Sequence, residues 1–347
     1  MIRTALAGFG DSAHYLHAPF ILANPAFQLT HVFERSKNRA AEVYPFLQTV
    51  RTFEALLENP EIDLIIINTP NDTHADYTRK ALQAGKHVVV EKPFTPTVEE
   101  AEELIELAQQ QNRVLSVYHN RRWDSDFRTV QQVLESGELG EVHTYEAHFD
   151  RYKPVLNPKA WKETASAGSG TLYDLGSHIL DQVLLLFGRP QSVWANIWTQ
   201  REGSQIDDAF DLHLNYGRLR VRLRSSLLVR EPAPRYTVHG TLGSFLKPGI
   251  DIQEDQLKAG EIMPGHPNFG VEPESLWGVL HTDVDGQSIS RKMESLPGDW
   301  GIFYQNVADA ITDDAELFVK PQQMVTQLKV IEAAFQSTQT GQTIHLS

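Results

Sequence analysis

The sequence contains no cysteine among its 347 residues. The protein therefore forms no disulfide bond, offers no thiolate to zinc and has no cysteine nucleophile, and we expect it to work in a reducing compartment, the cytoplasm. Long apolar runs are also absent, since no stretch approaches the roughly 18 residues of a membrane span. The first residues enter a strand pattern at once and lack the apolar region of a signal peptide.

Basic charge is scarce as well. Lys and Arg number 31 against 45 Asp and Glu, which gives a formal net charge of −14, and no run of basic residues relieves it. This balance argues against a surface for nucleic acid. The hydrophobic content of 41% is that of an ordinary globular protein, and the length is sufficient for two domains with separate cores.

The N-terminal segment carries a dinucleotide-binding pattern. Ile2–Ala7 has the composition of a short buried strand, and Gly8-Phe9-Gly10-Asp11-Ser12-Ala13 follows it directly. Gly-x-Gly-x-x-Ala is typical of the tight turn that lets the backbone approach a pyrophosphate at a helix N-terminus. We expect that helix to begin near His17. Glu34 ends the next predicted strand, where an acidic residue would bind a ribose 2′-hydroxyl.

Strands and helices continue to alternate up to about residue 120. This order predicts βαβ units and a parallel sheet, with ligand-binding loops at its carboxyl edge, and we assign residues 1–120 to an NAD(P)-binding Rossmann domain. The predicted strands are Ile2–Ala7, Gln28–Phe33, Ile62–Asn68, His87–Val90 and Arg113–Tyr118. The predicted helices after the first are Thr52–Asn59, Asp72–Ala84 and Thr97–Asn112, the last opened by a capping box.

Beyond residue 120, longer alternating segments joined by glycine-containing turns are typical of antiparallel strands. We predict that 121–347 forms an α+β domain with a large, mostly antiparallel open sheet, which binds substrate and mediates oligomerisation. The predicted strands are Val142–Asp150, Val193–Gln200, Ala209–Tyr216, Leu219–Val229 and Tyr236–Gly240. The predicted helices are Ser125–Ser136, Leu172–Phe187, Ile302–Ile311 and Pro321–Ser337, while 249–301 is expected to be loop-rich apart from a hairpin at Asp285-Gly286.

The predicted helix Leu172–Phe187 places polar groups on an otherwise apolar element. Asp174, His178 and Asp181 are spaced at i, i+4 and i+7, opposite a stripe of aliphatic residues. They form either a solvated face with a local Asp–His contact or a general base with a carboxylate beside it. We do not predict a metal site, because no third ligand accompanies Asp174 and His178.

Three motifs in this order resemble a known family. Gly8-x-Gly10-x-x-Ala13, Glu91-Lys92-Pro93 and Asp174-x-Gly176-x-His178 are similar to those of the glucose–fructose oxidoreductase/inositol dehydrogenase/rhizopine catabolism (Gfo/Idh/MocA) family. The segments 119–124 and 148–152 resemble the branch that contains scyllo-inositol dehydrogenases. The resemblance implies a Rossmann domain, a second α/β domain, and hydride exchange between NAD or NADP and a sugar or polyol. It also implies catalysis by Lys92, Asp174 and His178.

The chemistry of these three side chains agrees with that assignment. Oxidation of a secondary alcohol needs a base for the hydroxyl proton, and an imidazole such as His178 titrates near neutrality. Asp174 would orient His178 or bond the reacting hydroxyl. The ammonium of Lys92 would stabilise a developing alkoxide, although a lysine in isolation is as readily an ordinary surface residue.

Further residues are predicted to contact the two ligands. Flat aromatic faces and polar side chains suit a ring with several hydroxyls, although each such residue alone is compatible with a structural role. The predicted substrate contacts are His119, Asn120, Arg122, Asp150, Tyr152 and Trp161. The predicted dinucleotide contacts are Gly8, Phe9, Gly10, Asp11, Ala13, Glu34, Arg35, Asn68, Thr69, Pro70, His74, Glu91 and Lys92.

Several alternatives remain open at the level of sequence. Glu34 favours NAD by repelling a 2′-phosphate, whereas Arg35, with Lys37 or Arg39 nearby, favours NADP. The same residues would serve an aldose or keto-sugar reductase. A regulator that kept the fold and lost the chemistry is disfavoured, because Lys92, Asp174 and His178 are all present. We expect no membrane partner, and a homodimer or homotetramer formed through the exposed face of the second sheet.

Overall fold

The computed structural model describes residues 1–158, 163–284 and 286–346. Within these residues the chain forms two compact units. The first contains Met1–Asn120, Gln253–Phe269 and Asp299–Val325; the second contains Arg121–Ile252, Gly270–Gly298 and the chain from Thr326 onward. The sequence-based division at residue 120 assigns both later segments of the first unit to the second domain, because no local pattern marks the unit to which a late segment packs.

The strands form two sheets, one in each unit. The strands of the first sheet are β1 Ile2–Leu6, β2 Phe27–Phe33, β3 Gln48–Val50, β4 Leu64–Ile67, β5 His87–Val90 and β6 Leu115–Val117. Those of the second are β7 Val142–His148, β8 Ser192–Trp198, β9 Ala209–Tyr216, β10 Leu219–Ser226, β11 Tyr236–Gly240, β12 Gly243–Lys247, β13 Gly278–Val284, β14 Gln287–Met293 and β15 Ile344–His345.

Ten α-helices are defined among the described residues. They are α1 Ala18–Ala23, α2 Arg39–Val43, α3 Glu54–Leu57, α4 His74–Gln83, α5 Val98–Gln110, α6 Ser125–Glu135, α7 Ser177–Phe187, α8 Gln253–Ala259, α9 Gly301–Thr312 and α10 Pro321–Thr340. Within the described ranges, no helix combines the length and the apolar character needed to cross a bilayer.

The first sheet has the order β3-β2-β1-β4-β5-β6, and every neighbouring pair is parallel. The predicted parallel sheet is therefore confirmed. All four residues of β4 are buried, as expected for a strand covered on both faces. Because β1, β4 and β5 are neighbours, the segments that follow them begin at one edge of the sheet, which is where such folds bind ligands.

The helix predicted to begin near His17 is preceded by a helical segment that was not predicted. A π-helical segment covers Ser12–His17 and continues into α1, and the N–H of His14 bonds the carbonyl of Gly10 at 3.0 Å. The predicted start near His17 is confirmed for α1, which begins at Ala18 with Pro19 in its first turn, whereas the segment Ser12–His17 was not predicted to be helical. The predicted cap of α5 is confirmed, since Thr97 Oγ1 accepts the N–H of Glu100 at 3.2 Å.

The second sheet has the order β14-β13-β12-β11-β7-β10-β9-β8-β15. Its pairs are antiparallel except for β7 with β10, which confirms the prediction of a mostly antiparallel sheet. One face is apolar and buried, and α7 packs against it: the Tyr236 hydroxyl donates to Gln182 Oε1 at 2.8 Å. Gly176, just before α7, lies so close to Phe210 that a Cβ would come within 3.1 Å of its ring.

The segment expected to be loop-rich holds more regular structure than predicted. It contains α8 and the hairpin of β13 and β14, in which Val284 pairs with Gln287. The predicted hairpin is thus confirmed, although its turn residue Asp285 lies outside the described residues. The short elements α2, β3 and β15 were not predicted either, because two to five residues are too few to show a period.

Candidate active site

The turn after β1 is joined to the end of β4 by a side-chain contact. Asn68 Nδ2 donates to the carbonyl of Gly8 at 2.9 Å. The other amide atom, Asn68 Oδ1, is buried and accepts no hydrogen bond from any residue that the structure describes. A buried amide oxygen at the carboxyl edge of a parallel sheet suits a ligand that brings a donor.

Gly10 passes a direct test of fit to a dinucleotide. A Cβ built on Gly10 meets no protein atom within 4 Å, and its backbone is not in the left-handed region. Neither packing nor backbone conformation therefore requires glycine here. A side chain at position 10 would occupy the open space beside the turn, which is where the backbone of such folds approaches a pyrophosphate.

The other turn residues take ordinary positions for this motif. Ala13 is fully buried in the π-helical segment, which is compatible with the third position of a glycine pattern. The Phe9 ring lies 5.9 Å from the ring of His14 and 6.0 Å from that of Tyr44. Asp11 is exposed directly before the helical segment.

His74 links the loops that follow β4 and β5. Its Nδ1 lies 2.8 Å from the carbonyl of Pro93, and its Nε2 lies 2.9 Å from the carbonyl of Thr69. Burial lowers the pKa of His74, so the ring is neutral and donates to one of the two carbonyls. The side chain of His74 is completely buried and connects two loops that were predicted to bind the cofactor. In the first of these loops, the carbonyl of Pro70 accepts the N–H of Thr73 and closes a turn.

Glu91 and Lys92 follow β5. Lys92 is partly exposed, and its backbone N–H donates to Glu91 Oε2 at 3.1 Å. The other oxygen, Glu91 Oε1, lies 3.0 Å from Nε2 of His17. The hydroxyl of Tyr304 lies 2.6 Å from Nδ1 of His17, and neither residue carries a local sequence signal for this contact.

Glu34 has a local partner that the sequence did not indicate. Its two carboxylate oxygens accept the backbone N–H groups of Arg39 and Ala40, at 3.2 and 3.1 Å, at the start of α2. The residue is 7% exposed, whereas Arg35 and Lys37 in the connecting loop are exposed. Glu34 therefore caps a helix, and the basic residues form the surface of this loop.

The helix that carries Asp174 and His178 is not a uniform α-helix. Leu172–Gly176 is a π-helical turn that runs into α7, and α7 ends before Gly188 in a positive-φ conformation, as predicted. Asp174 is exposed, whereas His178 is buried and lies with its ring 6.3 Å from that of Phe149. The wider turn changes the spacing on which the predicted i, i+4 relation of these two residues was based.

A distant carboxylate caps this helical segment. Asp207 Oδ2 accepts the N–H of Leu172 at 2.9 Å, and the carbonyl of Asp207 accepts the N–H of Thr171 at 2.9 Å. Gly170, at φ +100°, leaves space that a Cβ would take from the Asp207 carboxylate. Burial raises the pKa of Asp207 to about 6, although the bond from Leu172 acts in the opposite direction.

This cap predicts a pH-dependent stability. Because the pKa of Asp207 is about 6 in the folded protein and 3.8 ordinarily, the folded state keeps a proton that the unfolded state loses, and the contribution of Asp207 to the unfolding free energy falls as the pH rises through this window. Asp207→Asn keeps a carbonyl acceptor without the charge. We expect the stability of the variant relative to the parent to rise by about 1–3 kcal/mol between about pH 4 and about pH 7. Urea unfolding across this range measures the difference, and a constant difference contradicts the assignment.

The third polar residue of the helix forms an ion pair. Asp181 is buried and accepts two hydrogen bonds from Arg122, from Nε at 2.7 Å and from Nη2 at 2.6 Å. Arg122 was predicted to contact substrate. In the structure Arg122 is 5% exposed, and its guanidinium binds the carboxylate of Asp181 on α7. The pair joins the segment before α6 to the helix of His178.

The other residues predicted to contact substrate are divided between the first and the second unit. Asp150 Oδ1 accepts the N–H of Ser226 at 3.0 Å in the second unit. The hydroxyl of Tyr152 accepts from Arg230 Nη2 at 2.7 Å, and Tyr152 is 44% exposed. His119 and Asn120 are buried in the first unit, and Trp161 lies outside the described residues.

Comparisons with known proteins agree with this architecture. A model of an oxidoreductase family's NAD-binding Rossmann fold matches residues 2–119, and a model of the same family's C-terminal alpha/beta domain matches residues 131–346. The fold and these two matches define an NAD(P)-dependent oxidoreductase. The chain belongs to the Gfo/Idh/MocA oxidoreductase family.

Relatives match over the full length. The chain is 37% identical to scyllo-inositol 2-dehydrogenase (NADP(+)) IolW of Bacillus subtilis, over 99% of this chain and 96% of that protein. A solved oxidoreductase structure from Bacteroides fragilis is 44% identical, with a TM-score of 0.91 and full coverage of both chains. The structure of yvaA from Bacillus subtilis is 37% identical, with a TM-score of 0.96, over 100% of this chain and 98% of that one.

Proposed function

We propose that the protein is an NADP-dependent dehydrogenase that transfers hydride between a secondary alcohol of a polyol or sugar, with an inositol-like ring favoured, and nicotinamide. The observation that carries the proposal is the position of Lys92. Lys92 is a partly exposed residue, and its backbone is held by Glu91 before it and by His74 after it, at the sheet edge that also carries the turn after β1.

The three proposed catalytic residues have distinct roles. Bound nicotinamide supplies the hydride acceptor. Lys92 stabilises the negative charge that develops on the alcohol oxygen, which is the electrostatic term that usually contributes most to catalysis. His178 takes the hydroxyl proton, and Asp174 orients the reacting groups. The same residues serve the reverse reaction, the reduction of a keto-sugar.

The substrate class is supported by the side chains of the second unit and by a relative. Asp150 and Tyr152 offer a carboxylate and a phenol, and Arg122 supports the helix of His178. Polar sites of this kind discriminate strongly against analogues that lack a hydroxyl. The relative from Bacillus subtilis is a scyllo-inositol 2-dehydrogenase.

The preference for NADP rests on Glu34. Its carboxylate is buried and holds two N–H groups of α2, so a 2′-phosphate would meet a capped carboxylate rather than an exposed one. Arg35 and Lys37 are exposed in the loop that Arg51 braces, through bonds to the carbonyls of Glu34 and Lys37. Basic side chains at this position accommodate a 2′-phosphate.

The proposal predicts turnover of a cyclic polyol with NADP. Initial rates of NADPH formation are measured with a panel of inositols, and NADPH consumption with aldoses and keto-sugars, with NAD and NADH in parallel. We expect oxidation of an inositol, and at least about tenfold higher kcat/KM with NADP than with NAD. Reduction of an aldose alone would favour the reductase. Tight NADPH binding without turnover of any compound would favour a regulator, and a preference for NAD contradicts the role given to the loop after Glu34.

We also propose a homodimer or homotetramer formed through the outer face of the second sheet. This face carries Trp194, 38% exposed, and a two-bond ion pair between Arg222 and Asp211. Large aromatic and arginine side chains are frequent in subunit interfaces. The mass in solution, against 39.2 kDa for one chain, tests this proposal.

A further inference from the structure

Three buried polar side chains from distant parts of the sequence meet inside the first unit. His17 and Tyr304 are completely buried, and Glu91 is 9% exposed. His17 Nδ1 lies 2.6 Å from the hydroxyl of Tyr304, and His17 Nε2 lies 3.0 Å from Glu91 Oε1. The ring of Tyr118 covers the imidazole, with ring centres 4.4 Å apart. The cluster is thus shielded from water on several sides.

The protonation states of Tyr304 and Glu91 determine which atom donates each hydrogen bond in the cluster. Burial raises the pKa of Tyr304 well above its ordinary value, so its hydroxyl keeps the proton and donates to His17 Nδ1. Burial opposes ionisation of Glu91, but the hydrogen bond from His17 offsets it, and the pKa of Glu91 lies below its ordinary value. Glu91 is therefore a carboxylate that accepts from His17 Nε2, as the tautomer with a proton on that nitrogen requires.

The carboxylate of Glu91 connects this cluster to Lys92. Its second oxygen accepts the backbone N–H of Lys92 at 3.1 Å, and the carbonyl of the next residue, Pro93, is held by His74. The backbone of Lys92 is thus fixed before and after the residue by polar side chains that are themselves buried. A charged acceptor makes such a bond about twice as strong as a neutral one.

We propose that His17 is a positioning residue for Lys92: it fixes the Glu91 carboxylate, which holds the Lys92 backbone, and Tyr304 fixes His17. The inference rests on the catalytic role proposed for Lys92. A displacement of about 1 Å in a catalytic group can cost about a hundredfold in rate, so loss of this support is visible in turnover. A core contact alone would change stability without changing the turnover of the folded enzyme.

The test compares four variants of the full-length protein. His17→Ala removes both bonds, His17→Gln keeps an N–H donor for Glu91, and Tyr304→Phe removes one hydroxyl with little change of shape. His87→Asn is the matched control, because His87 is a histidine at the opposite end of β5 whose Nδ1 accepts the N–H of Val114 at 2.9 Å. Turnover number, KM for NADP and substrate, and thermal unfolding are measured for each.

We expect His17→Ala and Tyr304→Phe to lower kcat about tenfold with KM for NADP nearly unchanged, His17→Gln to recover most of the loss, and His87→Asn to retain full activity. In the Lys92→Met background, His17→Ala should add little further loss, because both changes act on the same group. Full turnover of folded His17→Ala and Tyr304→Phe, or an additive loss when His17→Ala is combined with Lys92→Met, would overturn the inference.

The same assay separates this inference from the proposed function. If Lys92→Met keeps full activity, the catalytic role of Lys92 fails, and the inference fails with it. If Lys92→Met is inactive while His17→Ala and Tyr304→Phe turn over at the parent rate, only the positioning role is wrong.

Discussion

Replacement of Lys92 by methionine is expected to reduce kcat about a hundred- to a thousandfold. Methionine keeps a flexible chain of similar length but removes the ammonium, and the loss of one group that stabilises an oxyanion costs about this factor. The dinucleotide turn at Gly8–Ala13 is unchanged, so affinity for NADPH should stay within about threefold. Steady-state rates and titration of NADPH fluorescence measure the two quantities separately.

The chain offers a matched control for this substitution. Lys80 on α4 is a partly exposed lysine of the same unit, with its Nζ 2.8 Å from Asp76. Lys80→Met removes one charge of a surface ion pair, and such pairs contribute little to stability. We expect it to leave kcat unchanged. A Lys92→Met enzyme as active as Lys80→Met would assign Lys92 to the surface and remove the central residue of the proposed chemistry.

The parallel sheet and the residues after its strands could be predicted because their signals are local. Glycines at fixed spacing follow an apolar strand, and Glu91-Lys92-Pro93 follows another one. Strand order then places Gly8, Asn68 and Glu91 at one edge, and the contact of Asn68 with Gly8 is of the kind that such a topology allows.

The supporting contacts could not be predicted because they join residues far apart in the sequence. Asp207 caps a helical segment that begins 35 residues earlier, and Tyr304 holds a histidine 287 residues away. A capping carboxylate is recognisable in sequence when it precedes its helix directly, as Thr97 does. Glu34 lacks that signal, because it caps α2 from five and six residues upstream.

The buried ion pair of Asp181 and Arg122 could not be predicted from the sequence pattern either. Asp181 occupies the position that helical spacing assigns to a polar face, yet it is buried against the guanidinium of Arg122. A charged pair in the interior is costly unless both partners are present, so removal of either one leaves an uncompensated charge. Periodicity alone does not identify which arginine compensates a given aspartate.

The change of Gly10 to alanine is expected to separate folding from cofactor binding. A Cβ at Gly10 meets no protein atom within 4 Å, and its backbone conformation is open to any residue, so the variant should fold and unfold at the parent temperature or slightly above it. The methyl group fills the space through which the backbone approaches a pyrophosphate. Affinity for NADPH should therefore fall at least about tenfold.

Two measurements on one protein decide this prediction. Thermal unfolding without cofactor reports whether the fold is intact, and titration of NADPH fluorescence reports its affinity. A stable variant that binds weakly identifies the turn after β1 as the phosphate site, because nothing in the described part of the protein accounts for glycine at that position. A stable variant that binds NADPH as tightly as the parent would show that the dinucleotide does not approach Gly10, and the residues placed around this turn would lose their assigned role.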